Sequence, residues 1–124
     1  MNLKEINPLV LAYVGDSVYE TYIRLFLVKK NIPNIGSLQK ESLSYVTAKS
    51  QASILTKIID HNFFDEEERT IIRSARNTKG HNPPKGCDLA TYHFATAFEA
   101  VIGYLYLKGD NKKIMNLMEK IEME

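Results

Sequence analysis

The sequence has little cysteine and no long apolar run, and both shortages exclude classes of protein. Its 124 residues contain one cysteine, Cys87, which excludes a disulfide framework within the monomer and a cysteine-rich zinc site, and favours a reducing compartment. No apolar stretch approaches the roughly 20 residues of a membrane span, and the first residues carry no signal-peptide pattern. We therefore expect a cytoplasmic protein with no membrane partner.

Internal repeats, linkers rich in Gly, Ser or Pro, and stretches of alternating polarity are also missing. The length suits a single core, so we expect residues 1–124 to form one domain. Apolar residues recur at helical spacing nearly throughout the chain. The pattern predicts an all-α fold with about six or seven helices.

Capping residues predict where most of these helices begin. Asn7 and Pro8 start a long first helix that runs to about Lys30. Ser37 is the predicted cap of the second helix, and Thr47 starts the third. The remaining predicted boundaries are a capping box at Asp65–Glu68, a helix end near Asn77, a loop over 78–86, caps at Asp88 and Asp110, and a stop at Gly109.

Charge is balanced overall but unevenly distributed. The formal net charge is +1, from 16 basic and 15 acidic residues, yet the stretch 69–87 contains no acid. Its basic side chains are Arg69, Arg73, Arg76, Lys79 and Lys85. Such a segment suits contact with a polyanion, but a solvated helix face has the same composition. Charge alone leaves both interpretations open.

Two acids lie in helices that are otherwise largely apolar. Asp16 follows Gly15 inside the first helix, where glycine costs roughly 1 kcal/mol relative to alanine. Glu99 is surrounded in sequence by Ala, Phe, Val and Ile. A carboxylate among apolar side chains is costly unless something pairs with it.

These two carboxylates have two interpretations. They could converge on one divalent cation such as Mg²⁺, which prefers oxygen ligands and keeps several waters. Alternatively, each could pair with a basic side chain such as Lys49 or Lys85, or point to solvent. Spacing in the sequence does not decide between these interpretations.

Two segments resemble the signature motifs of the ribonuclease III family. Residues 7–18, NPLVLAYVGDSV, resemble N-x-x-L-E-F-L-G-D-S-V-L, and residues 96–103, TAFEAVIG, resemble D-x-x-E-A-[LI]-I-G. The resemblance is closer to the Mini-ribonuclease III branch, which has a catalytic domain and no appended double-stranded-RNA-binding domain. Its features recur at 11–20, 48–52, 76–79, 84–85 and 96–100, so the resemblance spans nearly the whole chain from Asn7 to Leu107.

The departures from the full-length family concern acidic positions. Leu9, Ala12 and Thr96 stand where full-length ribonuclease III has acids, whereas Asp16 and Glu99 carry over as catalytic, metal-binding residues. The Mini branch shares this reduced set. The resemblance therefore implies an active enzyme, but not a fully occupied two-metal site.

The resemblance implies metal-assisted hydrolysis of double-stranded RNA. The cofactor would be Mg²⁺, for which Mn²⁺ can substitute, and the products would carry 5′-phosphate and 3′-hydroxyl ends. The family acts as a homodimer whose interface lies beside the signature helix, which makes Tyr13 a candidate interface residue. The RNA-binding candidates are Arg73, Arg76, Lys79 and Lys85, and the implied substrate is a ribosomal RNA precursor. Participation of a ribosomal protein stays open.

Two other functions compete with this one. A non-catalytic relative could use the same fold as an RNA-binding or ribosome-associated dimer, but such relatives lose the metal-binding carboxylates. A helical protein-interaction module would leave the two isolated acids and the acid-free basic stretch unexplained.

Overall fold

The structure, a computed structural model, describes residues 1–60, 62–78 and 82–122. A 3-10 helix (Leu3–Glu5) precedes the α-helices α1 (Pro8–Lys29), α2 (Ile35–Val46), α3 (Ala48–Ile59), α4 (Glu66–Arg76), α5 (Leu89–Lys108) and α6 (Asn111–Glu122). The described residues form no strand, so the predicted all-α fold is confirmed. In these same ranges no helix combines the length and apolarity needed to span a membrane.

Helix α5 is the centre of the fold. It packs against α1, α3, α4 and α6, and ten of its 20 residues are buried. Its sequence is apolar on nearly every side, as expected of a helix surrounded by others. Phe98 is fully buried and makes an edge-to-face contact with Tyr19 of α1, with ring centroids 4.9 Å apart. Glu99 lies on this central helix and is half-buried.

N-caps formed by nearby side chains set where most of the helices begin, as predicted. The Asn7 side chain accepts from the Leu9 amide at 2.8 Å. At the start of α4, the Asp65 carboxylate accepts from the Glu68 amide at 2.9 Å, and Glu68 accepts in return from the Asp65 amide at 3.0 Å. Asp88 caps α5 in the same way by accepting from the Thr91 amide. These contacts satisfy amides that have no partner within the helix.

The predicted cap of α2 was wrong. Asn34, rather than Ser37, caps this helix, because the Asn34 side chain accepts from the Ser37 amide at 2.8 Å. Asn34 has the extended backbone of a helix N-cap, and Gly36 lies in the first turn that follows. The helix thus begins at Ile35, two residues before Ser37.

A buried ion pair ties α6 to the rest of the molecule. The Lys113 ammonium lies 3.0 Å from the carboxylate of Glu68, whose side chain is 1 % exposed. Because the same carboxylate also accepts from the Asp65 amide, its charge is paired and hydrogen-bonded, as a buried charge requires.

Candidate active site

Two glycines allow α1 and α5 to cross at backbone contact. A Cβ atom placed on Gly15 would overlap the carbonyl group of Glu99, and one placed on Gly103 would overlap the carbonyl of Leu11. Only glycine fits at either position without moving a helix. The unfavourable Gly15 within α1 is therefore explained by the crossing, which places Asp16 and Glu99 on adjoining turns of the two helices.

The carboxylates of Asp16 and Glu99 meet at this crossing. Burial raises the pKa of Glu99 to about 9, and a hydrogen bond to Asp16 together with that group's negative charge adds to the effect. A hydrogen bond from Gln51 opposes the shift, and the charge of Glu20 adds slightly to it. Without a cation between them, Glu99 thus holds a proton at neutral pH, the expected response of two close carboxyl groups.

A shallow pocket of about 180 Å³ opens beside the two acids. It is lined by Leu9, Ala12, Tyr13, Asp16, Tyr92, Thr96 and Glu99. The Thr96 hydroxyl donates its proton to the Tyr92 carbonyl at 2.9 Å, so this hydroxyl presents only acceptor lone pairs to the pocket. Asp16 is solvent-exposed at the pocket, whereas Glu99 is half-buried. The pocket thus presents oxygen acceptors to solvent and contains no basic side chain in its lining.

Neither acid is neutralised by lysine or arginine in the part of the chain that the structure describes. The ion pairs found there are Lys4–Glu67, Arg24–Glu20, Arg69–Glu66, Arg73–Glu66 and Lys113–Glu68. The expected alternatives, Lys49 and Lys85, both line a different cavity. Within the same described ranges no three His, Cys, Asp or Glu side chains come together as a metal-binding group. The arrangement is thus a two-carboxylate site.

Gln51 is a polar residue at the site that the sequence interpretation did not single out. Its side chain is 3 % exposed, and it lies on the face of α3 that also buries Leu55 and Ile58. Its amide donates to the Glu99 carboxylate. The available signal was local: Gln51 occupies an apolar position one turn before Leu55, where a buried amide needs a partner.

Of the four basic candidates, the structure describes Arg73, Arg76 and Lys85. Arg73 and Arg76 are exposed and lie one turn apart on α4. Arg73 pairs with Glu66 at 3.8 Å, and the Arg76 guanidinium stacks over the Phe94 ring at 4.2 Å. Lys79 lies outside the described residues.

Lys85 lies beside a second lysine, Lys49. It is exposed and lines a cavity of about 470 Å³ together with Lys49, between the start of α3 and residues 84–88. Thr91 of α5 also lines this cavity, two turns before Glu99 on the same helix. The lysines therefore lie beside the first turns of α3 and α5.

Tyr13 lies at the outer edge of the pocket. Its side chain is 81 % exposed, and the neighbouring Val10 is 51 % exposed. A tyrosine this exposed makes little contribution to the core. Tyr13 is thus an apolar surface group next to Asp16, on a helix that carries further exposed apolar residues at Leu25 and Val28.

Comparisons with known proteins agree with the fold and with the motifs. The ribonuclease III domain family matches residues 9–110. The chain is 43 % identical to the Mini-ribonuclease 3 of Thermoanaerobacter sp. over 92 % of its own length and 79 % of that protein. It is 40 % identical to the Mini-ribonuclease 3 of Staphylococcus aureus over 97 % of its own length and 90 % of that protein.

A solved structure supports the same assignment. The crystal structure of a protein from Fusobacterium nucleatum superposes with a TM-score of 0.88 at 33 % identity, covering 97 % of this chain and 96 % of that one. The matched family domain includes both helices that carry Asp16 and Glu99. The chain therefore belongs to the ribonuclease III family of endoribonucleases.

Proposed function

We propose that this protein hydrolyses double-stranded RNA with a divalent cation, Mg²⁺ or Mn²⁺, held between Asp16 and Glu99. The observation that carries the proposal is the convergence of these two carboxylates at the α1–α5 crossing, with no lysine or arginine paired to either in the described residues. Two oxygen donors at a solvent-open pocket suit a hard cation that keeps several waters.

The chemistry of the donors fits such an ion. A cation bound there would favour the ionised form of Glu99, whose pKa is raised by burial and by the neighbouring negative charge of Asp16. When bound, the ion supplies activation of the attacking water and compensation of charge on the phosphate. Asp16 and Glu99 bind and orient it, and the open mouth of the pocket admits a phosphodiester. The products are expected to carry 5′-phosphate and 3′-hydroxyl ends.

Exposed basic side chains would bind the RNA backbone. A-form duplexes are recognised mostly through their shape, phosphates and 2′-hydroxyls. Arg73, Arg76 and Lys85 are exposed to solvent, which lets a phosphate backbone reach them, and Lys79 is proposed to join them. We assign these four residues to phosphate contacts made by a single catalytic domain.

A homodimer is the proposed working form. The exposed Tyr13 and Val10 provide apolar surface beside the pocket, and a two-fold interface there would place two sites symmetrically about a duplex. Each site would cut one strand and leave a short 3′ overhang. Ribosomal RNA precursors in the cytoplasm are the proposed substrates, and a ribosomal protein is a candidate partner.

Cleavage of long duplex RNA tests this function. The protein is incubated with the duplex in Mg²⁺ or in EDTA, and the product ends are mapped. We expect cleavage only with Mg²⁺, and we expect Asp16→Asn and Glu99→Gln to abolish it while binding stays measurable. Glu119→Gln, an exposed change on α6, is the matched control. Full activity in either site variant would refute the site, and duplex binding without any cleavage by the unaltered protein would favour the non-catalytic alternative.

A further inference from the structure

Gln51 has an environment that packing alone does not explain. It is 3 % exposed, on the face of α3 that contacts α5, and its neighbours on that face are Leu55 and Ile58. An amide in such a place is costly unless it is hydrogen-bonded. An apolar side chain of the same length would fill the position without this requirement.

The hydrogen bond of Gln51 goes to one of the two site carboxylates. Its amide donates to Glu99, and no buried side-chain polar atom lacks a partner in the described residues. Glu99 therefore has Gln51 of α3 on one side and Asp16 of α1 on the other. Three helices thus determine where the Glu99 carboxylate lies.

We propose that Gln51 is a positioning residue, which holds the Glu99 carboxylate against α3 so that its oxygens face Asp16 and the pocket. The inference rests on the proposed function, since it concerns the same cation. Partners that orient metal-binding side chains typically contribute 10–100-fold to metal affinity. Gln51 supplies the hydrogen bond from an element that belongs to neither carboxylate helix, so it also fixes α3 relative to the site.

Metal binding without RNA tests the proposal. Gln51→Met preserves the length of the side chain and removes the donor, and Gln39→Met makes the same change on the exposed surface of α2. Mn²⁺ affinity is measured by electron paramagnetic resonance, and the melting temperature is measured in EDTA. We expect Gln51→Met to bind Mn²⁺ about tenfold more weakly while its melting temperature stays within a few degrees of the unaltered protein. Gln39→Met should bind Mn²⁺ normally.

Kinetics separate positioning from a general structural role. In Gln51→Met the Mg²⁺ concentration for half-maximal cleavage should rise by the same factor of about ten, whereas kcat at saturating Mg²⁺ and KM for the duplex should change little. Unchanged Mn²⁺ affinity in Gln51→Met would overturn the proposal. A drop in kcat at every Mg²⁺ concentration, with unaltered metal affinity, would also overturn it.

A measurement on the unaltered protein covers the case in which Gln51→Met does not fold. The side-chain amide resonances of Gln51 and Gln39 are followed by NMR during a Mg²⁺ titration. We expect those of Gln51 to shift with the binding curve and those of Gln39 to stay in place; an unmoved Gln51 amide would overturn the proposal. If the unaltered protein neither binds Mn²⁺ nor cleaves duplex RNA, the proposed function fails. If it does both and Gln51→Met behaves identically, only the role of Gln51 fails.

Discussion

Replacing Gly15 by alanine should destabilise this protein, although alanine is the better helix former. On an exposed helix the change would gain roughly 1 kcal/mol. At this crossing the new Cβ would overlap the Glu99 carbonyl and lie 2.8 Å from the backbone nitrogen of Gly103. Backbone atoms cannot rotate away as a side chain can, so α1 and α5 must separate.

The magnitude follows from the balance of these two effects. Forced overpacking in a core costs typically 1–3 kcal/mol and occasionally more, and the rigid backbone places Gly15→Ala at the upper end. After the gain in helix propensity, we expect a net loss of about 2 kcal/mol. For a domain of this size that corresponds to a melting temperature lower by roughly 8 °C.

Thermal and urea unfolding in EDTA measure this loss. Gly103→Ala should behave similarly, because its Cβ would overlap the Leu11 carbonyl. Gly36→Ala is the matched control, since its Cβ would meet only the Asn34 side chain at an ordinary 3.4 Å. We expect that control to stay within about 1 kcal/mol of the unaltered protein. A Gly15→Ala protein that is as stable as the unaltered one would refute the close crossing.

Three further predictions concern charge and assembly. In EDTA, the free energy of unfolding should fall as the pH rises from about 4.5 to about 9, because folded Glu99 retains a proton that the unfolded chain releases. Urea titrations of Glu99→Gln should show a weaker dependence of this free energy on pH, and an unchanged dependence would contradict a proton held on Glu99. Changing Arg73, Lys79 and Lys85 to alanine should weaken duplex binding, whereas Lys112→Ala should not. The slope of log binding constant against log salt concentration should become shallower by about 0.7–0.9 per lost phosphate contact, and an unaltered slope would mean that these residues form a solvated surface that does not contact RNA. Sedimentation should show a dimer at micromolar concentration that Tyr13→Asp weakens, and a monomer that still makes staggered double cuts would refute the paired sites.

Local signals in the sequence predicted most of the fold. The capping box at Asp65–Glu68 was predictable because its hydrogen bonds join residues three apart. The start of α2 was not, since Asn34 and Ser37 both suit an N-cap. Where two capping residues compete, side-chain contacts of the folded chain decide.

The site depended on contacts that no local pattern shows. The sequence identified Gly15 as unfavourable, but the reason, the backbone of Glu99, 84 positions along the chain, exists only in the folded protein. The sequence did not single out Gln51, because one polar residue on an apolar helix face does not form a recurring pattern. Arg73 belonged to an acid-free segment, yet its helix brings it within reach of Glu66 two turns earlier.

Anomalous diffraction from crystals grown with Mn²⁺ tests most directly whether Asp16 and Glu99 share one cation. We predict a peak between the two carboxylates in each protomer and loss of that peak in Asp16→Asn crystals soaked identically. Crystals of the unaltered protein in which no metal lies between these side chains at saturating Mn²⁺ would contradict the proposed metal centre.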